Sequence, residues 1–291
     1  MIGCIRADFS PTNRRFPVSI HDQALGKWPN APLALVLAQV RFDPEIDTEY
    51  KKVAERLKAA LGNHFPAMKA VRQMTLMFGG APGPAAEAKP NDGEVGRELR
   101  TDDDRSALRV QEGVMTFTTS VYKDSEHFLA EWRSMLDALC AGSGIKVQRL
   151  GLRYVDFIIP TQGKEPEDYF KNGFGHLTDV FGERAQAAFM SHEYPRGQDG
   201  AVRVQFGRGI APPSLPPDLD GSVQPSPSLL QKYTQEQPAA VLDIDRWSFD
   251  SRRLNAGEIA REFEGLREDV CQAFSNIITH EAKAEWSGQP A

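Results

Sequence analysis

The sequence lacks the long apolar run that a membrane-spanning helix needs, which is roughly 18 residues. Its longest apolar stretch, residues 33–40, is of a length that suits a buried strand. Residues 1–16 carry charges where a signal peptide would have its apolar centre. There are few cysteines, namely Cys4, Cys140 and Cys271, and their scatter does not form a disulfide framework. We therefore expect reduced thiols and a cytoplasmic protein.

Motifs for catalysis, metal binding and phosphate binding are also lacking. No two histidines stand at His-x-x-x-His spacing, and none is next to a cysteine. The glycine-rich stretch at 79–83 has neither the lysine nor the serine or threonine of a phosphate loop. No serine lies in a nucleophile elbow. We expect no catalytic residue, no metal site and no cofactor, and the sequence favours a binding role over an enzymatic one.

An excess of positive charge is the third feature that is missing. The 291 residues carry a formal net charge of −6, and 41% are hydrophobic and 25% charged. These proportions are typical of a globular domain with a sizeable core. The acidic balance argues against broad electrostatic binding to nucleic acid or to acidic membranes, although a local basic patch is compatible with it. A protein partner is therefore favoured, and nucleic acid is kept as an alternative.

What is present is an ordered alternation of strands and helices over residues 31–160. Period-two and helical patterns predict strand, helix, strand, strand, helix and strand, with the strands at 33–42, 68–78, 108–122 and 146–160. This is the split βαβ order of a ferredoxin-like antiparallel sheet with two helices on one face. The segment 79–105 is rich in Gly, Pro, Ala and Asp, and we expect it to be a mobile loop. Residues 1–30 are expected to be irregular.

Residues 161–291 are expected to form a second β-rich half. The patterns predict a short helix at 167–181, followed by strands at 185–194, 201–206 and 241–249, with a proline-rich crossover at 208–238. Asn255, with Glu258 three residues later, is typical of a helix start. The apolar stripe of the closing helix, about seven or eight turns long, consists of Ile259, Phe263, Leu266, Val270, Phe274 and Ile277. The fold class is thus α+β, and the sequence leaves open whether the halves share one sheet.

A candidate binding site lies on the strand at 146–160. Arg149 and Arg153 are four residues apart, so both side chains leave the same face of the strand, and Gly151 between them carries no side chain. Guanidinium groups bind carboxylates and phosphates bidentately. Arg149, Gly151, Arg153 and the adjacent Tyr154 are therefore our candidate ligand- or partner-binding residues. A solvated polar face, or ion pairs with acids on neighbouring strands, would explain the arginines equally well.

A pair of acids stands on another strand. Asp243 and Asp245 share one strand face with Trp247. Paired carboxylates can bind a metal or divide acid and base roles, but no third ligand follows at a recognisable spacing. Salt bridges to Arg246, to Arg252 or to the cationic sheet face are the favoured interpretation.

Several short motifs together resemble a family of uncharacterised, sporadically distributed bacterial proteins. They are Ala31-Pro-Leu, Val40-Arg-Phe, Tyr122 before Glu126-His-Phe, and Arg149-Leu-Gly-Leu-Arg-Tyr-Val-Asp. Asp156 stands where the family usually has Asn. No biochemical activity comes with the resemblance. The patchy distribution of the family implies an accessory gene, of the kind found in mobile elements, toxin–antitoxin loci or phage-defence islands.

Three hypotheses follow. The first is a non-enzymatic component of an accessory bacterial system, of the phage-defence or toxin–antitoxin type, that binds a protein partner. The second is a nucleic-acid-binding or RNA-processing protein built on paired ferredoxin-like units, with Arg149, Arg153 and Tyr154 at its surface. The third is a sensor or an enzyme for a small phosphorylated ligand held by the same arginines.

Overall fold

The computed structural model describes residues 28–72, 93–161, 163–171, 174, 185–197, 200–219, 221–233 and 237–288. These ranges contain ten strands: β1 Leu33–Phe42, β2 Ala67–Arg72, β3 Glu94–Arg100, β4 Ser106–Gln111, β5 Val114–Thr119, β6 Ile145–Ile158, β7 Ala188–Pro195, β8 Gly200–Gly209, β9 Ala239–Phe249 and β10 Arg253–Leu254. They also contain the α-helices α1 Tyr50–Leu61, α2 Ser125–Cys140, α3 Pro227–Leu230, α4 Ala256–Ile277 and α5 His280–Ser287.

A single antiparallel sheet runs through both halves of the chain. Its strand order is β2-β3-β4-β5-β1-β6-β9-β8-β7, and β10 pairs with the start of β6. β1 and β6 lie near the middle, where the N-terminal half meets the C-terminal half through the β6–β9 pair. Helices α1, α2 and α4 pack on the sheet and on one another. The α+β class with a long C-terminal helix is confirmed. The two halves of the chain share one sheet.

The main core lies between the sheet and these helices. Along β1, alternate residues such as Val36 and Val40 point to the helices, while Leu35 joins a smaller cluster on the other side. The indole of Trp132 on α2 stacks on Phe117 and meets Phe263 of α4 edge-on, with ring centroids 6.4 and 5.4 Å apart. All three rings are fully buried. Burial of this kind contributes roughly 1.5–3 kcal/mol per large apolar side chain.

The N-terminal half has more strands than the sequence pattern predicts. The expected single strand at 108–122 is a hairpin of β4 and β5, because Gly113 adopts a φ of +66° and reverses the chain after Glu112. The expected mobile loop at 79–105 contains β3, so that part of the prediction is wrong. Residues 79–92 of that loop, and 73–78 of the expected second strand, lie outside the described residues.

The second half differs in two places. The segment at 167–181 was predicted to be a helix, but a 3₁₀ turn spans Pro166–Tyr169. Phe170 then forms a β-bridge with Ile278. Residues 172–173 and 175–184 lie outside the described ranges. The closing helix begins at Asn255 with the expected Glu258 capping box, and its stripe is buried from Ile259 to Phe274. It ends at Ile277, earlier than predicted, because Ile278 is extended and Thr279 caps the separate helix α5.

Two of the three cysteines lie in the described part of the chain. Cys140 on α2 and Cys271 on α4 are both buried. Cys4 lies outside the described residues, as does most of the segment 1–30 that was expected to be irregular. Within the described ranges, none of the helices combines the length and the apolar character that a membrane span requires.

Candidate functional site

The sheet surface opposite the three packed helices carries most of the polar side chains discussed below, and we call it the open face. One part of it is covered by the connection between β8 and β9, whose Leu219, Val223 and Leu229 pack on apolar residues of β1 and β6. Beside this covered part lies a groove of about 350 Å³. The groove residues that carry the argument are Gln39, Arg41, Arg149, Gly151, Arg153, Asp218 and Asp245.

Arg149 lies at the centre of the groove, folded over Gly151. A Cβ atom at Gly151 would lie 3.2 Å from Arg149 Nη1, so the glycine provides the space that the guanidinium occupies. Arg149 Nη1 donates to Gln39 Oε1 at 3.1 Å. Its Nη2 lies 3.9 Å from Asp245 Oδ2. The guanidinium also lies 5.7 Å from the ring centroid of Trp247, a cation–π distance.

Arg41 stands directly opposite Arg149 in the β1–β6 register. Its Nε donates to Gln39 Oε1 at 3.1 Å, so one amide oxygen accepts hydrogen bonds from two guanidinium groups. No ion pair involves Arg41 in the part of the chain that the structure describes. Burial lowers the pKa of Arg149, and the neighbouring charges of Arg41 and Arg203 lower it further, against the opposing effect of Asp245. Two cations that share a neutral acceptor are well placed to bind an anion.

Arg153 has a different environment. It binds Asp243 bidentately, Nε to Oδ1 at 2.8 Å and Nη2 to Oδ2 at 2.6 Å, and it contacts Asp218 at 2.5 Å. Despite its burial, these hydrogen bonds raise the pKa of Arg153. Asp243 is 4% exposed, so Arg153 neutralises a buried carboxylate. The favoured interpretation of the acidic pair, ion pairing with arginines, therefore holds for Asp243.

Asp245 is a weaker partner. Burial raises its pKa, and Arg149 and Arg153 act in the opposite direction. A carboxylate at 3.9 Å, beyond hydrogen-bond distance, leaves Arg149 with little compensation of its charge. In the described ranges, no group of three or more His, Cys, Asp and Glu residues is arranged to hold a metal ion.

Tyr154 is separated from the other three candidate residues. Successive side chains of a strand alternate between faces, so Tyr154 points to the helices while Arg149, Gly151 and Arg153 point to the open face. Its hydroxyl lies 3.3 Å from that of Tyr122. Burial raises the pKa of Tyr154 well above its ordinary value. A place at the surface beside the arginines, as the nucleic-acid hypothesis requires, is not where this side chain lies.

Two residues of the site were not among the candidates from sequence. Gln39 and Arg41 are two apart on β1, which puts them on one face of that strand. Their meeting with Arg149 depends on the antiparallel register of β1 and β6, in which Gln39 faces Gly151. The spacing was visible in the sequence, but the register was not.

Comparisons with known proteins add little. No protein-family model matches the sequence, and no curated protein matches it. One solved structure that resembles it is a rolling circle replication initiator protein from Geobacillus stearothermophilus, with a TM-score of 0.31 and 11% identity over 85% of each chain. A similarity of this size is too weak to assign a fold family or a function.

Proposed function

We propose that the protein is a non-enzymatic binding component that recognises a protein partner through a carboxylate seated between Arg41 and Arg149. The observation that carries the proposal is the sharing of Gln39 Oε1 by both guanidinium groups. A carboxylate of a partner would supply the charged acceptor that this pair lacks. Hydrogen bonds between guanidinium and carboxylate are roughly twice as strong as neutral ones.

The composition around the pair supports a protein as the partner. Trp247 contacts Arg149, and Phe249, which is 57% exposed, faces Arg149 across the β6–β9 pair. Arginine, tryptophan and phenylalanine are enriched at protein–protein interfaces, and arginine and tryptophan also at their hot spots. The groove is less suited to binding a polyanion, because the acids Glu98, Asp218 and Asp245 line it as well.

The biological setting is part of the proposal and is supported by the resemblance alone. The strand Arg149-Leu-Gly-Leu-Arg-Tyr is its most specific element. We place the protein in that sporadically distributed family, as a component of an accessory bacterial system of the phage-defence or toxin–antitoxin type. A partner encoded by a neighbouring gene follows from this setting.

The test compares two arginines that contact the same tryptophan. Arg203 lies 5.1 Å from the Trp247 ring but has its own carboxylate, Glu193, at 2.8 Å. Wild type, Arg149→Ala and Arg203→Ala are immobilised, and nuclease-treated lysate of the source bacterium is passed over each. We expect a partner retained by wild type and Arg203→Ala and lost by Arg149→Ala, because removal of a charged group at a desolvated contact costs roughly 2–5 kcal/mol.

Two results would contradict the proposal. One is a partner that Arg149→Ala retains as well as wild type does. The other is retention that depends on nucleic acid, so that nuclease treatment removes the material bound by wild type. Titration of each protein with inorganic phosphate gives a third readout: selective binding of phosphate, without a protein partner, would favour a small phosphorylated ligand instead.

A further inference from the structure

A second polar site lies on the helix side of the sheet, away from the groove. It is a cavity of about 40 Å³ whose lining includes Asp156 of β6 and the aromatic residues Trp28, Tyr122, Tyr154 and Phe274. We call it the Asp156 pocket. Its residues come from β6, from helix α4 and from the chain segments before β1 and before α2.

The carboxyl group of Asp156 has no partner in the part of the chain that the structure describes. The residue is 4% exposed, and none of the hydrogen bonds and ion pairs between described residues involves its side chain. Buried polar groups nearly always have a partner, and one that lacks it costs free energy. Burial, reinforced by the charge of Asp243, raises the pKa of Asp156 to about 8. A group this costly to bury is a candidate for ligand binding.

The other walls supply aromatic surface on several sides. The rings of Trp28 and Phe274 have centroids 6.2 Å apart, and those of Tyr122 and Tyr154 are 5.8 Å apart. The faces of such rings attract organic cations, and cages of aromatic residues recognise substituted ammonium groups. A carboxyl group combined with aromatic walls matches one ligand chemistry, a cationic nitrogen on an apolar stem.

We propose that the Asp156 pocket binds an alkylammonium group, either of a free amine or of a lysine side chain. The cavity has room for the ammonium head group alone, because one water molecule occupies about 30 Å³ in the liquid. An adjoining cavity of about 340 Å³ shares Trp28, Leu33 and Tyr122 with the pocket. It offers space for the stem. The ammonium group would pair with the Asp156 carboxylate, and the proton of the carboxyl group would pass to solvent.

The other titratable groups around the pocket are compatible with this ligand. Asp243 acts on Asp156 through the sheet and does not line the cavity. Arg267 and Cys271 of α4 act on the hydroxyls of Tyr122 and Tyr154. Arg267 is not among the causes of the pKa shift of Asp156. The carboxyl group is thus left for a ligand cation.

The experiment titrates the full chain with 1,4-diaminobutane, with Nα-acetyl-lysine methylamide and with butanol, following tryptophan fluorescence and heat. We expect at least one amine to bind about tenfold or more tightly than butanol. The stronger amine identifies the source. Binding should tighten between pH 6 and 9 as the carboxyl group ionises.

Variants separate the pocket from other acids. Asp156→Asn keeps the shape of the side chain and removes the charge, so it should lose the preference for amine over butanol and the pH dependence. Asp137→Asn, at an exposed acid of α2, should bind as wild type does. The proposal is overturned if neither amine saturates the protein, if butanol binds equally well, or if Asp156→Asn retains amine affinity. Trp28→Leu provides a second check, since it removes an aromatic wall and should also weaken amine binding.

Discussion

Arg41 and Arg149 face each other across β1 and β6, and both donate to the same atom, Oε1 of Gln39, at 3.1 Å. Like charges are not brought together in this way without a compensating acceptor nearby. The only carboxylate in reach of Arg149 is Asp245 at 3.9 Å, in the described part of the chain. Gln39 therefore occupies the position at which a charged acceptor would serve both arginines better.

This relationship predicts the effect of Gln39→Glu. The new carboxylate should satisfy both guanidinium groups, because charge-assisted hydrogen bonds are stronger than neutral ones. We expect the free energy of unfolding to rise by about 1 kcal/mol and the affinity for the captured partner to fall. Denaturant titration and binding on the same samples measure both. Gln205→Glu, at an open-face residue that bonds Ser191, is the matched control. A variant that keeps the partner would show that the pair is not the site.

Arg153 should behave as a structural residue. Its bidentate bond neutralises the buried carboxylate of Asp243. Arg153→Ala leaves that charge unpaired and should destabilise the fold by on the order of 3–5 kcal/mol. Asp243→Asn in the same chain should recover a large part of the loss. Chemical denaturation of both single variants and the double variant gives the coupling energy, and additive effects would contradict the ion pair.

The arginines of β6 share a face but differ in their partners. Spacing four on a strand correctly predicted that Arg149 and Arg153 share a face with Gly151. It could not distinguish a paired from an unpaired arginine, because the acids arrive from β9 and from the β8–β9 connection, about 65 to 90 residues away in the chain. The sharing of Gln39 depends on the β1–β6 register in the same way. Local pattern assigns a side chain to a face, and long-range pairing decides its partner.

The fold was predictable where the sequence pattern is long and regular, and not elsewhere. The stripe of α4 and the alternation of β1 were correct because their periodicity is long and strong. The β4–β5 hairpin was missed because the short turn at Glu112-Gly113 stands between two strand-forming stretches and was read as part of one strand. β3 was missed because Glu94–Arg100 is highly charged. Its charges are accommodated by ion pairs such as Arg100 with Glu98 at 2.6 Å, which no local pattern indicates.

Gly151→Ala tests the space in which Arg149 lies. The added methyl group would approach Arg149 Nη1 to 3.2 Å, and the flexible end of that side chain can move away. We therefore expect stability to change by less than about 1 kcal/mol while affinity for the captured partner falls. Gly207→Ala on β8 is the control, because its nearest neighbour would be a side-chain atom of Phe189 at 3.8 Å. Unaltered partner binding by Gly151→Ala would mean that binding does not depend on the position of the Arg149 side chain.

Phe263→Ala tests the packing of the closing helix. The ring is fully buried and meets Trp132 edge-on, so its removal leaves a cavity between α2 and α4. A loss of about 3–5 kcal/mol in the free energy of unfolding is expected. Ile277→Ala, at a half-buried position on the same helix, should cost less. Equal losses in the two variants would contradict the burial of the stripe against the sheet.

Asp156 predicts how stability depends on pH. Its pKa is about 8 in the folded protein and about 3.9 in an unfolded chain. Between these values the unfolded state loses the proton and the folded state keeps it. The stability of the wild type should therefore decrease with rising pH, by at most about 1.4 kcal/mol per pH unit from this group. Below pH 4 both states are protonated, and above pH 8 both are ionised, so the effect is absent at the acid end and constant at the basic end.

Asp156→Asn removes this effect without changing the shape of the side chain. The variant should match wild type near pH 4 and become progressively more stable than wild type up to about pH 8, where the difference levels off. Urea denaturation of both proteins at intervals of one pH unit measures it. Asp245→Asn provides a comparison, since burial raises the pKa of that acid too while Arg149 and Arg153 act in the opposite direction. A difference that does not change between pH 4 and pH 8 would show that the Asp156 carboxyl group has a partner that keeps it ionised, and the Asp156 pocket could not then bind a cation in the manner proposed.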